Sequence, residues 1–173
     1  MKINTPINMK QYRLFVLLCA LFVFALSPLL ATAQNKEVRM ELMPKTINVD
    51  ETPIDFYDDG GPDGKTSSEF KDGKTSSVTF IPQVAGKKMQ VDFKLVDIFE
   101  GTLYRQFIHV YDGTEAKTDR LLATLHKGST RIVKATNPQG ALTVVFGSTA
   151  SFTSNGFKAV VSLFTPQPMR FRD

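Results

Sequence analysis

Within the stretch Tyr57–Ser77, YDDGGPDGKTSSEFKDGKTSS, the hexapeptide DGKTSS occurs twice, and each copy puts Lys and Thr directly after a glycine. A phosphate-binding loop ends in the same Gly-Lys-Thr. It also needs a glycine five residues earlier, so that backbone N–H groups wrap the phosphates while the lysine neutralises them. Counting back five gives Asp59 for the first copy and Ser68 for the second. Neither copy is followed by an apolar helical pattern that would aim a helix N-terminus at an anion. The repeat therefore argues against a nucleotide site. The same stretch carries Asp55, Asp58, Asp59 and Asp63, oxygen donors suited to calcium. A dedicated calcium loop starting at Asp59 would close with Glu at position 70, where the chain has Phe70. Turn chemistry fits better: in GGPDG, Pro62 sets the first central position of a type I turn, Asp63 suits the second and Gly64 closes it. The second copy reads as a turn feeding a strand at Val78.

Catalytic arrangements are sparse. No G-x-S-x-G elbow and no H-E-x-x-H helix motif occur, and the histidine bases are His109 and His126. A nucleophile–base–acid set or a three-ligand zinc site therefore has few residues to draw on. Two carboxylates of a glycosidase pair remain available among 17 acids, but the tryptophans that often stack sugars are absent. The sequence points away from an enzyme.

Residues 1–33 explain much of the composition. Lys10 and Arg13 precede the apolar run Leu14–Leu26, then come Ser27, Pro28 and the small-residue box Ala31-Thr32-Ala33. This is the pattern of a secretory signal peptide cleaved after Ala33, and the run is shorter than the roughly 18 apolar residues a spanning helix needs. Cleavage removes Lys2, Lys10 and Arg13, so 21 basic residues become 18 against 17 acids, and the net charge falls from +4 to +1. No basic stripe remains to attract nucleic acid or an anionic membrane. The single cysteine, Cys19, departs as well. An exported domain without thiols must be held by hydrophobic packing alone.

After residue 75 the apolar period is two. Met89, Val91, Phe93 and Leu95 alternate with polar neighbours; so do Ile108 and Val110, Leu142, Val144 and Phe146, and Phe157, Ala159, Val161 and Leu163. Shorter strands are expected at Val78–Ile81, Leu121–Leu125, Arg131–Ala135, Arg39–Met43 and Thr46–Val49, with strand-poor stretches at Asp50–Ser76, Gly113–Arg120 and Ser148–Gly156. Asn155-Gly156 is the strongest two-residue turn signal. Eight or nine short strands with regular turns predict an all-β antiparallel sandwich. The expected divisions are a leader at 34–47, the sandwich at 48–164, and a Pro-containing tail or linker start at 165–173.

The order of FYDDGGPDG (Phe56–Gly64), MQVDFKLVDIFE (Met89–Glu100), FIHVYDG (Phe107–Gly113), GALTVVFGS (Gly140–Ser148) and NGFKAVV (Asn155–Val161) resembles a CUB domain of the disulfide-free bacterial kind. The resemblance implies a two-sheet jelly-roll sandwich that binds proteins or glycans and is not catalytic. Many members hold calcium with three acids. At the corresponding positions this chain offers Asp97 and Glu100, each displaced by about two residues, then Gln106 and Thr149. With two carboxylates replaced, any calcium site should be weak, and Asp97, Glu100 and Asp112 are the candidate ligands; Asp112 alternatively ends its strand in a turn. No other cofactor is implied.

The expectation is an exported binding or adhesion module, in the periplasm, on the outer surface or in the medium, that recognises a protein or glycan partner through loops. Candidate contacts are Phe56, Tyr57, Tyr104, Arg105, His109, Phe152 and Lys158. The alternative is a structural or accessory module of a larger secreted protein or enzyme complex.

Overall fold

The computed structural model describes residues 34–66, 70, 73–149 and 153–167. The expected signal peptide, Phe152 and the end of the tail lie outside the described residues. Among those described, ten strands form: β1 (Lys36–Arg39), β2 (Lys45–Val49), β3 (Ile54–Tyr57), β4 (Thr75–Pro82), β5 (Lys88–Asp97), β6 (Gln106–Asp112), β7 (Leu121–Leu125), β8 (Arg131–Lys134), β9 (Leu142–Ser148) and β10 (Gly156–Phe164). They build two five-stranded sheets, ordered β1-β3-β10-β5-β8 and β2-β4-β9-β6-β7. The predicted β-sandwich is present. No described helix is long and apolar enough to cross a membrane.

The sheets are mixed, which the sequence reading missed. The chain alternates between them from β1 to β6, so β3 returns beside β1 and β4 beside β2 in the same direction, and both pairs are parallel. All other pairings are antiparallel. The sandwich thus takes in residues read as a leader, and its first strand sits earlier than the expected Arg39–Met43. Strand β3 falls inside the stretch expected to be strand-poor. Its four residues, IDFY, alternate buried and half-buried, but a pattern so short is lost beside the surrounding turn residues.

Period two governs which side chains meet between the sheets. Rings from both sheets interlock there: Phe157 lies 5.1 Å from Phe56, 5.9 Å from Phe93 and 5.8 Å from Phe146, all edge-on. Phe56 also meets Phe80 at 5.1 Å. Strand β9 is central in its sheet and buried along its whole length. In β5 the phase slips. The partner register jumps from Leu95 to Phe93, leaving Lys94 as a bulge, so Leu95 turns outward and Val96 and Ile98 enter the core. The alternation read from sequence held only as far as Phe93.

Two turns also differ from expectation. The hydrogen-bonded turn in the GGPDG region runs from Asp58 to Gly61, whose N–H reaches the Asp58 carbonyl at 3.3 Å, ahead of the expected Gly61–Gly64. Asn155-Gly156 makes no hairpin, because β9 and β10 belong to different sheets. Gly156 opens β10 instead, with φ +68°.

Candidate functional site

Strand directions gather residues 58–66, 73–74, 98–105, 126–130, 149 and 153–155 at one end of the sandwich. A buried amide ties three of them together. Gln106, 2 % exposed, accepts from the Phe99 N–H at 3.0 Å and the Ser154 hydroxyl at 2.6 Å, and its Nε2 donates to Thr66 Oγ1 at 3.3 Å. Thr66 and Ser154 exchange further bonds, with Thr66 N–H to the Ser154 carbonyl at 2.9 Å and Ser154 N–H to Thr66 Oγ1 at 2.9 Å. Each polar atom placed out of water thereby finds a partner.

Beside this clamp, β5 and β6 continue into a narrow hairpin. Glu100 and Arg105 form a bridge, and the Gly101 N–H meets the Tyr104 carbonyl at 2.9 Å. Gly101 is required there, because a Cβ would lie 2.8 Å from that carbonyl and 3.0 Å from the Phe99 ring. On the other side, Thr149 Oγ1 accepts from Arg105 N–H at 2.8 Å and donates to the Arg105 carbonyl at 3.1 Å. The Arg105 backbone is thus fixed from two directions.

Between this hairpin and the end of β7 opens a cleft of about 460 Å³, lined by Glu100, Gly101, Arg105, Gln106, Phe107, His109, Thr124, Leu125, His126 and Thr149. The Phe107 ring rests on Gly147, where a Cβ would come within 2.5 Å of it. His109 lies 4.9 Å from Phe107, tilted by 35°, and its Nδ1 faces the Tyr111 hydroxyl at 3.3 Å. Burial, and then the positive charges of Arg105 and His126, hold His109 below its ordinary 6.5, so it is neutral at pH 7. His126 Nδ1 meets Glu100 Oε1 at 2.9 Å.

The cleft borders an unusual sheet face. In register, the outward rows of the second sheet are Thr75–Gly147–Phe107, Ser77–Val145–His109–Thr124 and Thr79–Thr143–Tyr111–Leu121. These rows contain hydroxyls, rings and small groups, with no Lys, Arg, Asp or Glu. The outward rows of the first sheet carry Glu37, Arg39, Asp55, Asp92, Lys94, Lys134 and Lys158.

Of the residues singled out in the sequence, Arg105, His109 and Glu100 share this cleft, and Tyr104, 51 % exposed, stands at the hairpin tip beside Leu103. Phe56 is fully buried in the core, and its ring contacts leave it no contact role. Tyr57 and Lys158 pair across β3 and β10 in the other sheet. Phe107, Thr124 and His126 were missed as contacts. Phe107 and Thr124 are signalled only by facing outward in strands whose alternate residues are core.

The three suspected calcium ligands do not converge. Asp97 pairs with Lys127 at 2.8 Å and accepts from Asn155, while Glu100 turns to His126. Asp112 lies at the opposite end of β6 and accepts from Thr136 N–H at 2.9 Å, the Thr136 hydroxyl, Asn137 N–H at 3.2 Å and Asn137 Nδ2 at 2.6 Å. Its role there is to fix a turn. At the positions where the resemblance placed the other donors, the oxygens of Gln106 and Thr149 are engaged in the clamp and with Arg105. No three His, Cys, Asp or Glu among the described residues are grouped to hold a metal. Asp97, Glu100 and Asp112 are thus not arranged around one point.

No family model and no curated protein matches the chain. Among solved structures, it is similar to the full extracellular region of zebrafish Gpr126/Adgrg6 (TM-score 0.51, 16 % identity), covering 77 % of this chain and 15 % of that one. The CUB1-EGF-CUB2 domains of rat MASP-1 give a TM-score of 0.49 at 17 % identity, covering 69 % of this chain and 42 % of that one. The chain therefore spans less than half the length of either. At these identities the likeness to the zebrafish protein bears on the fold alone: a β-sandwich of a kind found within a longer extracellular chain.

Proposed function

We propose that this protein is an exported, non-catalytic, CUB-like binding module whose contact site is the cleft between the Glu100–Arg105 hairpin and β7, and that its partner is a protein or a glycan. One observation carries the reading: a cleft with an arginine on a held backbone, two histidines and a phenylalanine ring opens beside sheet rows free of charged side chains. Uncharged, ring-bearing surface next to a few polar groups is the composition of contact sites. Against catalysis, the His109 Nδ1 faces the Tyr111 hydroxyl, with no orienting acid beside it among the described residues.

A second reading, a structural or accessory module of a larger secreted assembly, draws on Leu103, 85 % exposed, and Tyr104 beside it. Paired apolar residues at a hairpin tip are suited to docking on a neighbouring subunit.

The test is binding of the labelled protein to arrays of glycans and extracellular proteins, using Thr124→Arg to fill the cleft and Lys158→Glu on the opposite sheet as control. Thr124→Arg should abolish capture and Lys158→Glu should leave it intact. The reverse pattern would move the contact site to the other sheet. Loss on Leu103→Ser with Thr124→Arg unaffected would favour the docking reading.

A further inference from the structure

Resting on the binding-module reading, we infer that the ligand of the cleft is an acidic saccharide, a uronate- or sialate-bearing chain whose carboxylate pairs with Arg105. The first support is the state of the charges. Lys36, Lys45, Lys94, Lys117, Lys127 and Arg39 are each matched to a carboxylate. Arg105 shares the lack of such a match with Lys88, Arg120, Arg131, Lys134 and Lys158 among the described residues, but of these it is the one that lines the cleft, with its backbone held on both sides by Thr149 and the Glu100 bridge. A guanidinium carried on a held backbone at a cleft lip is a fork for a planar carboxylate, which it can bind through two parallel hydrogen bonds. Glu100, the one acid of the lining, is taken up by His126.

The second support is the floor. Phe107 and His109 form a joined ring surface, and Thr124 stands opposite His109 in register. Sugars present C–H faces that pack on rings and hydroxyls that bond to neighbouring polar groups. The volume, about 460 Å³, falls in the range of roughly 300–1,000 Å³ common to small-ligand sites, and the uncharged rows beyond the cleft let a longer chain continue without meeting a fixed charge.

The third support separates a saccharide from an acidic peptide. A peptide brings amide groups that need partners, and an exposed strand edge is the usual source. The floor strand β6 is paired with β9 along its length and with β7 from Ile108 to Tyr111, so over that span its backbone groups are spent, and the free strand edge nearby is the outer side of β7, the border strand of the sheet. The floor between β9 and β7 therefore offers the ligand the side chains of Phe107 and His109, which suits the C–H faces and hydroxyls of a sugar better than a peptide backbone.

The experiment is calorimetric titration with three acidic probes, tetragalacturonate, a hyaluronan tetrasaccharide and sialyllactose, against neutral maltotetraose, at low and at 0.5 M salt. It is run on the wild type, Arg105→Gln and Thr124→Arg. At least one acidic probe should bind, weaken by about 10- to 100-fold in Arg105→Gln, weaken in salt and be lost in Thr124→Arg. Equal binding of acidic and neutral probes through a Thr124→Arg-sensitive site would overturn the charge assignment and leave the binding module standing. Binding of an acidic peptide at the Thr124→Arg-sensitive site with no saccharide bound would replace the ligand class. If no saccharide binds, the inference falls, and the array experiment with its own variants decides the module reading separately.

Discussion

Gly156 and Asp58 compete for the same space: a Cβ on Gly156 would lie 1.7 Å from Asp58 Oδ2, the atom that accepts the Phe157 N–H at 2.7 Å. The other carboxylate oxygen accepts the Gly60 N–H at 2.8 Å. One buried side chain thereby joins the end of β3 to the start of β10, and the absence of a side chain at Gly156 permits it. Gly156→Ala should therefore cost about 3 kcal/mol or more, combining a left-handed backbone with a displaced buried carboxylate. Denaturant unfolding reads this directly. Asp58→Ala in the same chain should cost less than the sum of the two single changes, because the clash is then relieved.

The same carboxylate sets a pH dependence. Burial raises Asp58 from 3.8 to about 6, against the opposing backbone hydrogen bonds from Gly60 and Phe157. Because the folded value lies above the unfolded one, this contribution to stability is fully present below about pH 3.8 and is lost as pH rises through about 6. Between pH 4 and 7 the loss is on the order of 3 kcal/mol. Asp50, held down to about 2 by Lys36 and Thr52, acts in the opposite sense and loses its contribution as pH falls below the ordinary 3.8. The thermal midpoint should peak near pH 4–5, and Asp58→Asn should flatten the slope between pH 4 and 7. An unchanged slope in that variant would show that Asp58 does not titrate in this range.

Gln106 offers a test of the clamp. Gln106→Leu keeps most of the volume but removes the partners of Phe99 N–H, the Ser154 hydroxyl and Thr66 Oγ1, at a cost of about 3 kcal/mol. Amide exchange should speed up at Phe99 and Ser154 while the central strand β9 stays protected. Uniform acceleration across both sheets would mean that the clamp belongs to the global fold and not to the loop end.

Calcium should change nothing. Asp112 is saturated at the far end of β6, Asp97 is engaged by Lys127 and Glu100 by the His126 ring, so millimolar calcium and EDTA should give thermal midpoints within about 1 °C of each other. A shift of about 3–7 °C, the size produced by a metal bound at some 100 times its dissociation constant, would contradict the geometry.

What the sequence made legible follows from how far each signal reaches along the chain. Period two over seven or more residues located β5, β6, β9 and β10, and turn residues bounded them. It failed at Leu95, because a bulge is created by the partner strand and leaves no local mark. It failed at β3, where four residues carry too little period. Parallel edges were hidden because pairing direction depends on which sheet the chain returns to. Arg105 and His109 could be named as outward polar residues, but their meeting with His126 and Thr124 is a matter of strand register. Asp58 was weighed in the sequence as one of four carboxylates suited to calcium, and its partner Phe157 lies 99 residues away.

The two parallel strands at the start of the domain have one more consequence. β1 covers the edge of β3 and β2 covers the edge of β4, so this short segment closes one border of each sheet. A chain cut at residue 48, where the domain was first expected to begin, would expose the unpaired β3 edge and much of the β4 edge, together with the apolar residues behind them. Bare edges of that kind recruit strands from other molecules. A cut there should therefore be felt first as loss of solubility.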